Sequence, residues 1–429
     1  MHTLDDLKAG RLAGSTRLDL ACGLEHFPEE IFSLADTLQV LNLSGNSLRS
    51  LPDDLGRLKH LRVLFCSYNP FTELPASLGQ CPTLQVVGFR GCQIERVPAS
   101  ALAPRLRSLV LTDNRIETLP EQLGDCVELQ KLMLSGNRLT ALPDSLARCQ
   151  QLELLRLAAN RLSALPLWLL QMPNLAWLAF AGNPLPDGFQ PPPEPDRATI
   201  DWQHLTLHHT LGEGASGVIH QAFRQPQQCE VAVKLYKGNI TSDGLPHHEM
   251  SASLIAGKHP HLIGVQGRVS GHPQGLAGLV MDLIDPQLGN LAGPPSLESC
   301  TRDIYPERAR FTPVAVRRLA CAIASAAEHL HSLGINHGDL YAHNVLCTEQ
   351  GQALLGDFGA AAFYPQAAGT MAQALQRIEV RAFGILLGEL LERGDDSDPA
   401  MEALQQSCLL AQVMQRPSFA EIHRRLQPV

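Results

Sequence analysis

The sequence predicts two folded parts in series: an α/β solenoid of short stacked coils, then an α+β domain that begins near Ile200. Three observations predict this. A leucine pattern recurs in phase seven times at a spacing of 23 residues, with one step of 22. Beyond Ile200 the pattern is replaced by strand-like stretches, and later by an amphipathic segment from about Pro313 to Ser332. Length and composition accommodate both parts, because 429 residues with 45% apolar and 18% charged side chains can bury two cores.

The repeating unit is L-x-x-L-x-L-x-x-N-x-L-x-x-L-P-x-x-L, starting at Leu38, Leu61, Leu84, Leu106, Leu129, Leu152 and Leu175. A degenerate copy precedes them at Leu18, Leu20, Phe27-Pro28 and Ile31. L-x-L reads as a short strand with both leucines inward, and the L-P-x-x-L arc returns the chain along the other side. One coil cannot bury its leucines alone, so coils must stack. Asn46, Asn69, Asn114, Asn137, Asn160 and Asn183 form the expected ladder onto turn backbone, with Cys92 standing in once. These residues resemble the leucine-rich-repeat family in its 23-residue form. The resemblance implies protein recognition on a concave face, where Val63, Phe65, Val86, Val110, Met133, Arg156 and Trp177 are expected. That apolar stripe has a plainer explanation too, since β-propensity favours such residues on any strand.

Charge narrows the partners. The net charge is −9, from 34 basic and 43 acidic residues, and neither part is basic, so nucleic acid and acidic membrane surfaces are not expected partners. No apolar run approaches the ~20 residues of a membrane span, and the first residues carry no secretory pattern. A cytoplasmic protein is the expectation, with delivery into a host cell left open. Cys81, Cys126 and Cys149 recur at one repeat position, which suits a small core residue in a reducing compartment better than a disulfide framework. Boundaries follow: residues 1–186 for the solenoid, 187–199 for a proline-rich join, and 200–429 for the second domain. The join, or the first lobe beyond it, is expected to cover the last coil, whose leucines would otherwise be bare.

In the second domain, Leu211-Gly212-Glu213-Gly214-Ala215-Ser216-Gly217-Val218-Ile219 places three glycines between two strand-like stretches. Such glycines let backbone amides approach a phosphate without Cβ interference. Val231-Ala232-Val233-Lys234 follows, 22 residues after Gly212. His337-Gly338-Asp339-Leu340-Tyr341-Ala342-His343-Asn344 comes later, and 13 residues after Asn344 stands Asp357-Phe358-Gly359. Together these segments resemble the protein kinase family, of the eukaryotic-like serine/threonine type. The resemblance implies a bilobal fold (residues 200–282 and 283–429) and a reaction using ATP and magnesium. It implies phosphate contacts from Gly212, Gly214, Gly217 and Lys234, with Glu249 paired to Lys234. Ile219, Ala232, Met281, Asp282 and Leu283 would line the adenine. Asp339 would accept the substrate proton, and Asn344 and Asp357 would hold the metal. The paired histidines lack cysteines at zinc spacing and suggest no metal site.

Four features depart from that family. Gly338 replaces the arginine that reads an activation-segment phosphate. Tyr341 replaces the lysine that serves the γ-phosphate, a role a protonated His343 could partly take. From Asp357 to Glu379 there are only 22 residues without Ala-Pro-Glu, so Arg416 is expected to lack its glutamate; Gly369-Thr370 nevertheless favours serine/threonine specificity. From Glu379 to Arg416 there are 37 residues, little room for a full G-helix region. Three readings stand: an active serine/threonine kinase whose repeats dock a protein substrate or regulator, a pseudokinase scaffold, and a small-molecule phosphotransferase.

Overall fold

The computed structural model describes residues 2–186, 188–193, 199–214, 216–238, 241, 243–367 and 369–427. They fall into two compact units, Met1–Asn174 and Leu175–Val429. The first opens on a one-turn helix, α1 (Leu4–Lys8), whose Thr3 hydroxyl accepts from the Asp6 amide at 3.1 Å. Seven three-residue strands follow: β1 (Arg17–Asp19), β2 (Val40–Asn42), β3 (Val63–Phe65), β4 (Val86–Gly88), β5 (Ser108–Val110), β6 (Lys131–Met133) and β7 (Leu154–Arg156). They pair in parallel and in sequence order, with Leu18, Leu41, Leu64, Val87, Leu109, Leu132 and Leu155 in register. All seven are buried, as the inward position of a period-two strand requires. The proline-led arcs return as short 3₁₀ turns, such as Ala76–Gln80 and Asp144–Arg148.

The asparagine ladder is built as the spacing predicts. The Asn137 amide donates to the carbonyls of Leu111 and Leu134, at 2.8 and 2.9 Å, and accepts from the Ile116 amide at 3.0 Å. One buried side chain thus satisfies three backbone groups on successive coils. Cys92 does this weakly: its thiol approaches the Cys66 carbonyl at 3.5 Å. On the return arcs, burial pushes the Cys81 and Cys126 thiols up to about 11 and Cys149 to about 12, so none is a ready thiolate.

The second unit starts within the seventh full repeat. Strand β8 (Trp177–Ala179) leads past Phe189, whose ring lies 6.1 Å from that of Phe180. A first lobe is a six-stranded sheet of β9 (Thr199–Asp201), β10 (Leu205–Glu213), β11 (Gly217–Arg224), β12 (Cys229–Tyr236), β13 (Val265–Ser270) and β14 (Gly278–Asp282). Their order is β10-β11-β12-β14-β13-β9, with α2 (Pro246–Ala256) packed on β13. Ile200, Leu205, Ala222, Val231, Val233, Leu235 and Val280 form its core.

The second lobe is helical around small β-elements: β15 (Gly289–Asn290), β16 (Ile335–Asn336), β17 (Val345–Cys347), β18 (Ala353–Leu355) and β19 (Ala362–Phe363). Helix α3 (Pro313–Ser332) spans the expected amphipathic segment and is capped by Thr312. It packs on α4 (Thr370–Leu391) and α6 (Phe419–Leu426), and His423 Nδ1 meets Glu328 Oε2 at 2.6 Å. The span ahead of Arg416 does hold a helix, α5 (Pro399–Cys408), lodged against α4 where Gly384 leaves room for Cys408. Among the described residues no helix is long and apolar enough to cross a membrane.

The last coil is covered from two parts of the chain. The join contributes Phe189, as expected, and the helical lobe contributes the segment after His337, which the expectation did not name. Asp187 and residues 194–198 of the expected join lie outside the described residues.

Candidate active site

Strand register sets the first half of the site. Lys234 lies on β12 between Ile219 of β11 and Leu279 of β14 and is 8% exposed. A buried ammonium needs a counter-charge, and Glu249, near the start of α2 and 4% exposed, supplies it through a direct ion pair. Burial raises the Glu249 carboxyl, Lys234 pulls it back, and the charge of Asp357 pushes it up again. A Cβ on Gly359 would lie 3.1 Å from Asp357 Oδ1 and 3.9 Å from Glu249 Oε2, so the two carboxylates approach the same glycine from the two lobes.

Three glycines shape the rim. Gly217 is packed so closely that a Cβ would sit 2.4 Å from the Leu235 carbonyl, whereas Gly212 and Gly214 face open space. The Gly214 amide closes the turn onto the Gly217 carbonyl at 2.9 Å. Ala215 lies outside the described residues. Behind the rim, Ile219 is half-buried, and buried Ala232 pairs with Met281 across β12 and β14. Asp282 donates its amide to the Gly264 carbonyl at 2.9 Å. Its carbonyl and Leu283 remain as the backbone an adenine could meet.

The second half comes from the helical lobe. Asn344 donates from Nδ2 to both the carbonyl and Oδ2 of Asp339, each at 2.8 Å, which turns its own Oδ1 away from that carboxylate. Asp357 is held at φ +55°, an unusual conformation outside glycine, and its Oδ1 accepts from the Gly359 amide at 3.1 Å. The segment is fixed from behind. Buried His337 meets the Gly356 carbonyl at 2.8 Å, joining the two acidic loops. Glu379 of α4 accepts from the Gly338 amide at 2.6 Å and meets His331 at 2.7 Å. Burial would raise its carboxyl, yet His331, His337 and the Gly338 amide together hold it below the carboxylate range.

Sequence reasoning missed Asp303. Its side chain, 1% exposed, takes Nδ1 of His343 at 2.7 Å and the His343 amide at 3.0 Å. Burial favours the neutral ring, but Asp303, then Asp339 and Asp357, reverse this and raise the His343 pKa. No motif contains Asp303, so only the fold could reveal it. Arg416, fully buried, donates to the carbonyls of Leu410 and Arg377 at 2.8 and 3.0 Å, and burial pulls its guanidinium down to about 9.

Residues 205–376 match the protein kinase domain family, residues 127–185 match a leucine rich repeat family, and residues 36–79 match a two-copy repeat of that kind. The chain joins leucine-rich repeats to a protein kinase domain. Relatives of the kinase domain include both specificities. Tyrosine-protein kinase abl-1 of Caenorhabditis elegans is 27% identical over 282 residues, 55% of this chain and 22% of that protein. Serine/threonine-protein kinase PITSLRE of Drosophila melanogaster is 28% identical over 185 residues, 43% of this chain and 18% of that protein. CBL-interacting protein kinase 22 of rice, Oryza sativa subsp. japonica, is 31% identical over 170 residues, 37% of this chain and 36% of that protein. The chain thus spans less than half the length of each.

The expected recognition stripe of the repeats is only partly open. Phe65 and Val110 are half-buried, while Val63, Val86, Met133, Arg156 and Trp177 are buried. Trp177 is closed off because the Tyr341 ring stacks on it at 4.1 Å. Phe65 and neighbouring Tyr68, 56% exposed, lie over Gly88 and Gly91, where any Cβ would collide with their rings.

Proposed function

We propose that the kinase domain transfers the γ-phosphoryl group of ATP, with magnesium, to serine or threonine hydroxyls of a protein. The observation that carries this reading is that Glu249, paired to Lys234 in one lobe, and Asp357 of the other both approach Gly359, while Asn344 holds Asp339 and, with its own carbonyl, accepts from the Gly356 amide at 3.0 Å. The donor set fits the ligands. A hard divalent cation takes oxygen atoms, and the Asp357 carboxylate and Asn344 Oδ1 are the oxygens the site offers. Open space over Gly212 and Gly214 suits the phosphates of a nucleotide.

Bound magnesium would neutralise charge developing on the phosphate oxygens. Lys234, held extended by Glu249, would orient the phosphates. Asp339, held by Asn344, would align the acceptor hydroxyl and take its proton. His343, biased toward its charged form by Asp303, supplies positive charge beside Asp339 and Asp357, where Tyr341 has no charge to give. Serine/threonine specificity rests on the Gly369-Thr370 resemblance, and the relatives leave it to experiment. The reading places the reaction in the cytoplasm, where ATP and reduced thiols are both supplied. A protein substrate or regulator would dock on the repeats, at the Phe65–Tyr68 end where side chains are open.

Incubation of the full chain with γ-labelled ATP and a generic protein acceptor tests the reading. Label on phosphoserine or phosphothreonine is expected, with Asp339→Ala and Lys234→Met reduced roughly 1000-fold. Label on phosphotyrosine alone would overturn the specificity. Nucleotide binding without transfer would favour the scaffold reading, for which buried, uncharged Tyr341 is the supporting observation.

A further inference from the structure

Asp339 sits on a segment held from two directions. On one side are His337 and Glu379. On the other is β8, the strand of the last repeat, which belongs to the same compact unit as the kinase domain. The Trp177 indole donates from Nε1 to the Leu340 carbonyl at 3.0 Å. Its ring stacks on Tyr341 with centroids 4.1 Å apart and planes 6° from parallel. The Tyr341 ring in turn lies 5.0 Å from the His343 ring, and the Arg302 guanidinium stands 5.6 Å from the centroid of the Trp177 ring. The backbone of β8 is equally close: at Gly338, with φ +73°, a Cβ would come within 2.9 Å of the Leu178 carbonyl and 2.5 Å of the Ala360 carbonyl.

The residues before and after Asp339 are therefore packed against one repeat strand. Gly338 has no room for a side chain, Leu340 gives up its carbonyl, and Tyr341 has its ring covered. A lysine in place of Tyr341 would forfeit the stacking; an arginine in place of Gly338 would collide with β8 and adopt a strained φ.

We propose that Trp177 is a positioning residue for phosphoryl transfer: through Leu340 and Tyr341 it fixes the backbone that aims Asp339. The inference rests on the kinase reading above and adds to it that the last repeat is a structural part of the catalytic machinery and not a docking surface. Alignment of a reacting carboxylate is steep in its effect, since an error near 1 Å can cost roughly 100-fold in rate. The nucleotide contacts from β10 to β12 lie in the other lobe and should be indifferent to the change.

The test compares the full-length wild type with Trp177→Ala and Trp177→Phe, each kcat normalised to titrated nucleotide-binding sites. Trp177→Ala should lose roughly 100-fold in kcat with KM for ATP within about twofold. Trp177→Phe, which keeps a stacking ring and loses the donor, should lose about fivefold, the value of one hydrogen bond. If the alanine variant fails to fold, the phenylalanine variant carries the test. Wild-type kcat per site in the phenylalanine variant, or in a folded alanine variant, would overturn the inference while leaving the kinase reading intact. Wild-type protein that binds nucleotide and transfers nothing overturns both.

Discussion

A carboxylate sealed inside protein must be answered by charge or by hydrogen bonds, and Glu379 is answered by the His331 ring and the Gly338 amide. Its pKa is depressed below the ordinary 4.5. The unfolded chain therefore binds more protons than the folded one as pH falls, so this contribution is present above the unfolded pKa and lost as pH drops through the folded one. Glu379→Gln should cost roughly 2 kcal/mol at pH 7 and flatten the acid limb of stability in denaturant titrations; an unchanged limb would show that Glu379 is not ionised. For His343 the sign is opposite. Asp303 raises its pKa, so the charged ring is present at low pH and is lost as pH rises through the folded value. Asp303→Asn should move the alkaline limb of the kcat–pH profile to lower pH, and a limb that stays put would remove His343 from the reaction. Lys234, Glu249, Asp339, Asn344 and Asp357 could be singled out in the sequence because each falls in or ahead of a short motif, and the fold pairs Lys234 with Glu249 and Asn344 with Asp339. Asp303 and Trp177 could not be placed at the site this way, because they reach it through contacts distant in sequence, 40 residues for Asp303 to His343 and 163 for Trp177 to Leu340.

The elements differ in how much they disclose. Seven phased leucine registers define coils whose strands are only three residues long, too short for any alternation of their own; the repeat makes them legible. The ladder position is energetically specific. Asn137→Ala would strand three buried backbone groups and should cost roughly 2 kcal/mol or more. Cys92→Asn should restore a missing rung and add about 1 kcal/mol, read as a rise in the denaturation midpoint; a fall would show that the thiol site is too small. Helix α5 was passed over although its start is written in the sequence: Asp398 caps it through the Ala400 and Met401 amides, Pro399 opens its first turn, and Met401, Leu404 and Cys408 form its buried side, whereas the residue count to Arg416 alone suggested no room.

At the scale of the molecule, the sequence places the end of the solenoid near residue 186, while the compact units divide after Asn174. Repeat periodicity marks where coils stop and cannot report which neighbour a terminal coil packs against. The division has a consequence for truncation. Removing residues 1–174 should spare Mg·ATP binding and generic transfer while impairing phosphorylation of a protein recognised by the repeats, whereas removing residues 1–185 should also depress generic kcat by taking Trp177. In the kinase reading, two acidic loops and a lysine strand meet around a magnesium-bound nucleotide. Calorimetric titration of ATP into the full chain, with and without magnesium, measures this directly. Wild type should bind more tightly with magnesium, and Asp357→Ala should abolish that difference while retaining metal-free binding. Wild-type protein with no affinity for ATP at any magnesium concentration would contradict it.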